Sequence, residues 1–493
     1  MNEKRLRDWW KDLSIPKKFL AVILLLAPPV LAWSCYLWIV SMHGGLGFFR
    51  VMGNFRKTFF VFGLAWIAIS FLLIAIMVLK FRPFVMSKKY LGRSLSVILV
   101  LLLIMGIAGP ITFYVVIEAY RIARSGDKAP QLLVADGHGS TGIPNMAVCF
   151  WTDNPTRNTV AWGKKGSTGA TIREEKNGCQ HAFNLVNLTP ATHYWYRINN
   201  GKQYSFVSPP ASGAIRFAAV SDAHFGSRNP DASPQSALKI LDTVTRNPGE
   251  YAMFIGLGDM ADHGFRDITW KRLFDSFSPY ITKIPFRPFA GNHDTLMDNA
   301  HHYQEYMYPD PMKLQSGTKL YYRVDVGPVH FFMLDLEWGT DTFSSAQRKW
   351  LESELSKVPA GDWKIVMSHC FYYSSGSMEY GWPWYDDKQT IDAITPIIKK
   401  YDVDLVIGGH NHHMELLQKD GIPYLVVGSF GGVPDPEPLY VSPASLWRKF
   451  GQYGFLDVTV DGSKASMNFR DPEGQVLKSA VCEKGKGLVE PEP

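Results

Sequence analysis

Five short apolar runs in the second half of the chain each lead into side chains that can bind a metal ion. The runs are 215–220, 252–257, 286–290, 363–367 and 405–407. Carboxylate, amide and imidazole groups follow them at seven positions, which are Asp222, His224, Asp259, Asn292, His369, His410 and His412. Carboxylate oxygen and imidazole nitrogen are ligands that divalent ions accept in proteins. The pattern therefore predicts a metal site.

Carboxylates and imidazoles in this number can also hold a pair of ions. One carboxylate can bridge two cations about 3.5–4 Å apart, and such a pair can hold both the attacking and the leaving oxygen of a phosphoryl transfer. The ions also lower the pKa of a bound water toward ~7. A single Asp-x-His or Gly-Asp is typical of an ordinary turn, but five such motifs in order indicate one site.

The elements that would position these residues alternate along the chain. Each apolar run has the length of a buried strand. Helical patterns lie between the runs, with Ser233-Pro234 as one helix start and Ser344 before a helix over 345–357. Strands that alternate with helices predict a layered α/β architecture. The ligands would then lie on loops at one edge of the sheets.

The first third of the chain has a different character. Residues 1–124 carry 16 Lys or Arg against 4 Asp or Glu, whereas the remainder carries 35 against 41. Three apolar stretches, 19–42, 58–79 and 95–120, exceed the roughly 20 residues that a helix needs to cross a bilayer. The composition excludes a collagen-like or disordered chain. No nucleic-acid partner is expected, because the positive excess lies in this apolar region.

The distribution of Lys and Arg predicts an orientation. Residues 1–18 and 80–94 hold 11 of them, whereas 43–57 hold 3, so the N-terminus is expected to be cytoplasmic and the catalytic part extracytoplasmic, periplasmic or extracellular. Glu118 is the one ionisable residue within the three stretches. Intramembrane charges mark transport paths. The stretches are therefore interpreted as an anchor, or as a surface for a protein partner, rather than as a transporter.

Between these two regions the sequence predicts a linker at 125–145 and a set of short strands over 146–210. Short strands separated by turn residues favour a β-sandwich. We interpret this module as a spacer without chemistry of its own. Cys149 and Cys179 fall within it, and an oxidising compartment would permit a disulfide between them. Two separate buried thiols are the alternative.

The order D-x-H, G-D, G-N-H-D, H and G-H-x-H resembles the calcineurin-like metallophosphoesterase superfamily. The segments from Leu334 to Glu352 and Tyr373-Ser374-Ser375 are similar to its purple acid phosphatase branch. The run Leu188–Tyr196 resembles fibronectin type III modules, as in the N-terminal module of that branch.

The expected fold class is multidomain. The three apolar stretches predict three N-terminal transmembrane helices, and the resemblance implies an all-β sandwich and a four-layer αββα catalytic domain. The expected domains are a basic N-terminus at 1–18, a membrane region at 19–124, the linker at 125–145, a fibronectin type III-like sandwich at 146–210, a catalytic domain at 214–475 and a disordered tail at 476–493.

The same resemblance implies a role for each site residue. Asp222, His224 and His412 would hold one divalent ion, Asn292, His369 and His410 the other, and Asp259 would bridge them. His293 would act on the leaving-group oxygen as general acid or charge stabiliser, oriented by Asp294. The purple branch has a Tyr ligand three residues after the bridging Asp, where this chain has Asp262. His224 would replace it, so the ions are expected to be Mn, Zn or Fe rather than a purple Fe(III) pair.

The expected function is that of a membrane-anchored phosphoesterase that hydrolyses phosphomonoesters or phosphodiesters by attack of a metal-bridging hydroxide. Its substrate would be a phosphorylated small molecule, or a lipid or cell-envelope phosphate, with the bilayer as a second partner. The alternative is a non-catalytic membrane receptor or assembly subunit that retains the fold. The complete ligand set argues against that alternative.

Overall fold

Two large sheets form the framework of the protein. The computed structural model describes residue 119 and residues 122–490, apart from 136–140, 297–298, 311, 313, 315 and 380–381. One sheet has ten strands and the other has seven, and a four-stranded sheet and a two-stranded ribbon complete the β structure of these residues.

The ten-stranded sheet has the order β23-β22-β21-β20-β8-β9-β10-β1-β2-β5, the seven-stranded sheet β11-β12-β13-β16-β18-β17-β19, and the four-stranded sheet β4-β3-β6-β7. The strands are β1 (Lys128–Val134), β2 (Met146–Thr156), β3 (Thr159–Lys164), β4 (Ala170–Arg173), β5 (Gly178–Leu185), β6 (His193–Ile198), β7 (Gln203–Val207), β8 (Ile215–Val220), β9 (Met253–Gly256), β10 (Phe286–Pro288), β11 (Tyr322–Val326), β12 (Val329–Leu334), β13 (Trp363–Ser368), β14 (Met378–Glu379), β15 (Trp382–Pro383), β16 (Leu405–Gly408), β17 (Met414–Lys419), β18 (Ile422–Val427), β19 (Ser445–Lys449), β20 (Phe455–Asp461), β21 (Lys464–Arg470), β22 (Val476–Glu483) and β23 (Gly487–Val489).

Five α-helices lie between the strands in the described part of the chain. They are α1 (Pro234–Thr245), α2 (Asp267–Ile281), α3 (His301–Met307), α4 (Ser345–Leu355) and α5 (Lys388–Lys400). The two predicted helix starts are confirmed. Ser233 Oγ accepts a hydrogen bond from Ser236 N at 3.2 Å, and Ser344 Oγ accepts one from Gln347 N at 3.1 Å. Each hydroxyl satisfies an amide of the first helical turn that has no partner within the helix.

All five apolar runs form strands, as the sequence predicts, and within each sheet these strands are parallel to one another. β8, β9 and β10 are parallel in the larger sheet, and β12, β13, β16 and β18 are parallel in the smaller one. The carboxyl ends of parallel strands lie at one edge of a sheet, where open α/β sheets bind their ligands. The residues that follow these strands therefore share an edge.

Alternation along the strands of the smaller sheet shows how the layers pack. Phe331 and Met333 belong to the core shared with the larger sheet, whereas Phe332 and Leu334 belong to a second core that includes Leu351 of α4 and Ile394 of α5. The ring of Phe331 meets that of Phe217 in β8 edge-on, with centroids 5.0 Å apart. The smaller sheet is thus buried on both faces, between the larger sheet and two helices.

The prediction of a separate β-sandwich over 146–210 is wrong. Six strands do form there, but β2 and β5 continue the ten-stranded sheet through β1, which pairs in parallel with β10. The other strands, β3, β4, β6 and β7, form the four-stranded sheet. The hydroxyl of Tyr196 in β6 donates to the carbonyl of Thr282 after α2 at 2.9 Å. These strands are therefore built into the catalytic framework.

Two smaller predictions also differ from the structure. The segment 125–145, predicted as a linker, contains β1, in which Leu132, Leu133 and Val134 are fully buried. The segment 476–493, predicted as a disordered tail, contributes β22 and β23 to the larger sheet. Cys149 and Cys179 are free thiols, as in the alternative to a disulfide, but only Cys149 is buried and Cys179 is partly exposed.

The predicted fold class is corrected for the membrane as well. None of the helices among the described residues is long and apolar enough to cross a bilayer. The predicted spans at 19–42, 58–79 and 95–120 lie outside those residues, apart from Ala119. What the structure shows is a set of mixed sheets with a metallophosphoesterase-like α/β fold. The orientation drawn from the charge bias stays a prediction.

Packing between the two sheets can be tested with Phe331→Ala. Removal of a fully buried ring leaves a cavity, so we expect a loss of about 3–5 kcal/mol in the free energy of unfolding. Denaturant unfolding followed by circular dichroism measures it. Leu439→Ala is the control, because Leu439 is 89% exposed. Equal stability of the two variants would contradict the packing described above.

Candidate metal centre

The candidate metal centre lies at the common edge of the two sheets. The larger sheet contributes Asp222 and His224 after β8, Asp259 after β9 and Asn292 after β10, and the smaller sheet contributes His369 after β13 and His410 and His412 after β16. The loops after β8 and β9 hydrogen bond to each other, from Asp222 N to Gly258 O at 3.1 Å and from His224 N to Asp259 O at 2.9 Å. The structure thus brings all seven predicted ligands into one cluster.

Asp259 lies between the two halves of this cluster. Its Oδ2 is 3.3 Å from His369 Nε2 and 3.6 Å from His224 Nε2. On one side His412 Nε2 is 3.4 Å from Asp222 Oδ1. On the other side His369 Nε2 is 3.0 Å from Asn292 Oδ1 and 3.2 Å from His410 Nδ1. A carboxylate in this position can serve two ions.

The imidazole tautomers show why a cation fits. His369 Nδ1 is 2.9 Å from the carbonyl of Leu257, and His412 Nδ1 is 2.7 Å from that of Val433. A carbonyl oxygen only accepts, so each Nδ1 carries a proton and directs the Nε2 lone pair inward. His224 Nε2 and His412 Nε2 lie 3.1 Å apart, and among the described residues the buried Asp222 Oδ1 has no hydrogen-bond partner. Lone pairs that face one another in this way match divalent cations.

The electrostatics of the site agree with that reading. Burial opposes the charge on Asp259, but the imidazoles of His369 and His293 outweigh it and hold the pKa of that carboxyl well below its usual range. Burial also opposes a proton on His369, yet Asp259 raises its pKa to about 9, and Asp222 in the same way raises the pKa of His412 to about 10. The carboxylates demand positive charge, which bound cations would supply in place of those protons.

His410 behaves differently from the other imidazoles. Burial, together with the positive charge of His369, lowers its pKa to about 3. Two indoles enclose it, with Trp384 stacked on its ring at 4.9 Å and Trp338 edge-on at 4.8 Å. The enclosed imidazole is neutral, as a metal ligand must be.

The backbone of the site is strained. Asp222, His224, Asp259 and His410 have φ values of 63°, 44°, 52° and 72°. Side chains other than glycine rarely adopt this left-handed conformation, and each instance costs about 1–3 kcal/mol. Gly291 belongs to the same loops, since a Cβ there would lie 2.2 Å from Asp259 Oδ1. The fold holds four of the seven candidate ligands in conformations that local sequence disfavours.

Asp262 has a role that the sequence did not reveal. It stands where the resemblance places a tyrosine ligand, and its Oδ1 is 3.0 Å from His224 Nδ1. Its Oδ2 is 2.7 Å from His263 Nδ1. A carboxylate behind a metal-ligating imidazole fixes its tautomer and orientation. The departure from the family pattern at these two positions is therefore one feature: Asp262 orients the imidazole that replaces the tyrosine.

Asp435 was also missed, and it holds His412 from behind. Its Oδ2 accepts from His412 N at 2.8 Å and lies 3.2 Å from Nδ1 of the buried His413. Asp435 lies in the Pro-rich segment 434–443. Nothing in that composition marks the aspartate as a partner of a residue more than twenty positions earlier.

His293 lies beside the cluster, with its ring centroid 4.5 Å from that of His224. We predicted that Asp294 orients it, and the structure shows a different arrangement. His293 Nδ1 is 2.8 Å from the carbonyl of Asp262. Asp294 instead accepts hydrogen bonds from the amides of Met260 and Ala261 and from Gly291 N, at 3.3, 2.8 and 3.1 Å. Burial and the charge of Asp259 raise the pKa of Asp294 to about 7.

Comparisons with known proteins agree with this geometry. Residues 215–414 match the family model of the calcineurin-like phosphoesterase. "Purple acid phosphatase 21" of Arabidopsis thaliana is 26% identical over 347 residues, which are 64% of this chain and 75% of that protein. "Purple acid phosphatase 22" of the same plant is 27% identical over 303 residues, 56% of this chain and 65% of that protein.

A solved structure shows the same fold. The purple acid phosphatase PPD1 from yellow lupin (Lupinus luteus) seeds superposes with a TM-score of 0.61 over 73% of this chain and 74% of that chain, at 18% identity. The chain thus contains a calcineurin-like phosphoesterase domain and has purple acid phosphatases among its relatives. These relatives and the His and Asp clusters are consistent with a metal-dependent phosphoester hydrolase with a dinuclear site.

Asp262→Asn tests the positioning of His224. An amide can accept from only one of the two imidazoles, so His224 loses its fixed orientation, and we expect metal affinity to fall about 10–100-fold. Competition with a chelator, with Mn²⁺ or Zn²⁺ as the probe, measures the affinity. His263→Gln is the control, because it removes the other partner of Asp262 and leaves His224 in place. Wild-type affinity in Asp262→Asn would show that this carboxylate does not position the imidazole.

Proposed function

We propose that this chain hydrolyses phosphoric monoesters or diesters with two divalent cations held at the edge of its sheets. One observation carries the proposal: carboxylate, amide and imidazole atoms from five separate loops face one another across about 3–4 Å around Asp259. Asp222, His224 and His412 would hold one cation, and Asn292, His369 and His410 the other, with Asp259 shared. A bound pair of cations supplies an acidified water and a clamp for the phosphoryl oxygens.

His293 is placed to handle the proton of the leaving group. Its Nδ1 proton is committed to the carbonyl of Asp262. The proton that reaches a leaving oxygen must therefore be carried at Nε2. Part of its side chain, 23%, is exposed, whereas the His369 side chain is fully buried. An imidazole at the open side of the cluster can meet a substrate, and proton transfer of this kind contributes about 10²–10⁴-fold to a rate.

The surroundings of the cluster favour direct attack by water over a covalent intermediate. Cys370 is the thiol nearest in sequence to a candidate ligand. It is buried, and burial together with Asp387 raises its pKa well above the usual range. The thiolate is the reactive form of cysteine. Cys370 is thus an inert packing residue, which supports hydrolysis without attachment of the phosphoryl group to the protein.

The alternative of a non-catalytic subunit with the same fold is less well supported. A binding protein has no need of a complete set of ligands in strained conformations. Here the set is complete, and strain at four ligands is retained. Because such strain persists where function requires it, the hydrolase is the better interpretation.

Asp259→Asn tests the proposal directly. The full chain, supplied with Mn²⁺ or Zn²⁺, is expected to hydrolyse at least one of a panel of phosphomonoesters, phosphodiesters and pyrophosphates. The variant is expected to lose both bound metal, measured by elemental analysis, and turnover. Asp275→Asn is the control, since that carboxylate is 48% exposed on α2. Full activity in Asp259→Asn, or no activity of the wild type on any ester with either metal, would refute the proposal.

The role of His293 can be separated from metal binding by the choice of leaving group. In His293→Gln we expect a loss of about 10²–10⁴-fold in kcat with alkyl phosphates, whose leaving oxygen needs a proton. With 4-nitrophenyl phosphate, whose leaving group is a stable anion, the loss is expected to be much smaller. Metal content should be unchanged. An equal loss with both substrates would assign His293 to binding instead.

A further inference from the structure

A second concave site lies on the four-stranded sheet, at the side of β6 that faces away from the core. Successive residues of β6 alternate in burial. Tyr194 and Tyr196 are buried, whereas His193, Trp195 and Arg197 are exposed or half-buried. The exposed face borders a cavity of about 670 Å³ between the turn after β3, the strand β7 and Pro248. This volume is within the range of ligand pockets.

The lining of this cavity carries positive charge. Lys165 and Arg197 contribute cationic groups, and none of the described residues that line the cavity is acidic. His193, Gln203 and Ser205 add polar side chains beside them. The setting makes this notable, because residues 125–493 have a net charge of −6 (35 Lys or Arg against 41 Asp or Glu). A basic cavity on an acidic domain indicates an anionic ligand.

Trp195 is held rigidly within this cavity. Its indole Nε1 donates to the carbonyl of Ser167 at 3.3 Å. A hydrogen bond from Lys165 N to His193 O, at 2.9 Å, fixes the turn that supplies this carbonyl. Gly169 permits the close approach, since a Cβ there would lie 2.7 Å from Trp195 Cζ2. The guanidinium carbon of Arg197 lies over the indole, 6.0 Å from the ring centroid. A ligand therefore meets an indole whose position is already fixed, with this cation beside it.

We propose that this cavity, defined by Lys165, His193, Trp195, Arg197, Gln203 and Ser205, binds an acidic saccharide. The apolar face of a pyranose ring packs on the indole, which offers a flat apolar surface. The guanidinium of Arg197 pairs with the carboxylate or phosphate of the sugar through two parallel hydrogen bonds. Hydroxyl groups of the ring bond to the neighbouring amide and hydroxyl side chains.

A short saccharide fits better than a nucleic acid. A polyanion that extended past the cavity would meet a domain of net negative charge, and each further phosphate would be repelled. A single planar side chain also provides one stacking position, whereas single-stranded nucleic acids are bound on successive aromatic platforms. The site is independent of the metal centre, so its failure and the failure of the phosphoesterase proposal are separate results.

Calorimetric titration of the full chain with trigalacturonate tests the proposal, with neutral galactotriose as the matched sugar. A phosphate-bearing arm uses glucose 1-phosphate on the Asp259→Asn variant, in which hydrolysis is excluded. We expect at least one acidic probe to bind, and its affinity to fall about tenfold or more in Arg197→Gln and below detection in Trp195→Ala. Arg173→Gln, which removes an exposed charge from β4 of the same sheet, should leave affinity unchanged.

Several results would overturn the proposal. These are no binding of either acidic probe, equal binding of galactotriose, or equal losses in Arg173→Gln and Arg197→Gln. Arg197 is exposed, so its variant remains informative if Trp195→Ala fails to fold. Tighter binding of a single-stranded oligonucleotide than of either sugar would also contradict it and would assign the cavity to nucleic acid.

Discussion

The structure depends on a set of lone pairs that face one another in a largely buried cluster. Carboxylate and imidazole acceptors from both sheets converge on Asp259, and backbone carbonyls behind His369 and His412 prevent those rings from relieving the repulsion by a change of tautomer. Such an arrangement is unfavourable without positive charge. Protons supply part of this positive charge, as the raised pKa values of His369 and His412 show. Divalent cations would supply all of the positive charge that the facing lone pairs require. The cluster is therefore better explained as a binding site than as a packing feature.

The rest of the fold holds these groups in backbone conformations that they would not adopt on their own. Four candidate ligands have left-handed backbone conformations, and the loops that carry them bond to each other. Asp262, Asp294 and Asp435 hold the site from behind, through an imidazole, a set of amides and a backbone N–H respectively. The two sheets beneath the site are closely packed, so the strand ends that carry the ligand loops have little room to move. The rigid packing of the sheets and the strained backbone of the ligand loops therefore act together to hold the candidate ligands in place.

The β strands that precede residue 214 also have a different structural role from the one that the sequence predicts. The sequence favoured a spacer module, but β1, β2 and β5 extend the sheet that carries three of the candidate ligand loops. The four-stranded sheet beside them presents a rigid indole and two cations in a cavity without acidic residues. A recognition site and a hydrolytic site on one framework would keep a fixed geometry relative to each other.

The sequence by itself determined the strands, two helix starts and the identity of the clustered residues, because hydrophobic runs and capping residues act over a few neighbouring positions. Asp222, Asp259 and His412 could be named since each follows such a run. The sequence did not determine that Asp262 orients His224, that Asp294 binds amides instead of His293, or that 146–210 shares a sheet with β10. Those contacts join residues tens of positions apart, and only the tertiary structure brings their atoms within hydrogen-bonding distance. The same holds for the basic cavity. In the sequence its residues resemble those of an ordinary solvent-exposed strand, and only the tertiary structure places the turn after β3 and Trp195 beside them.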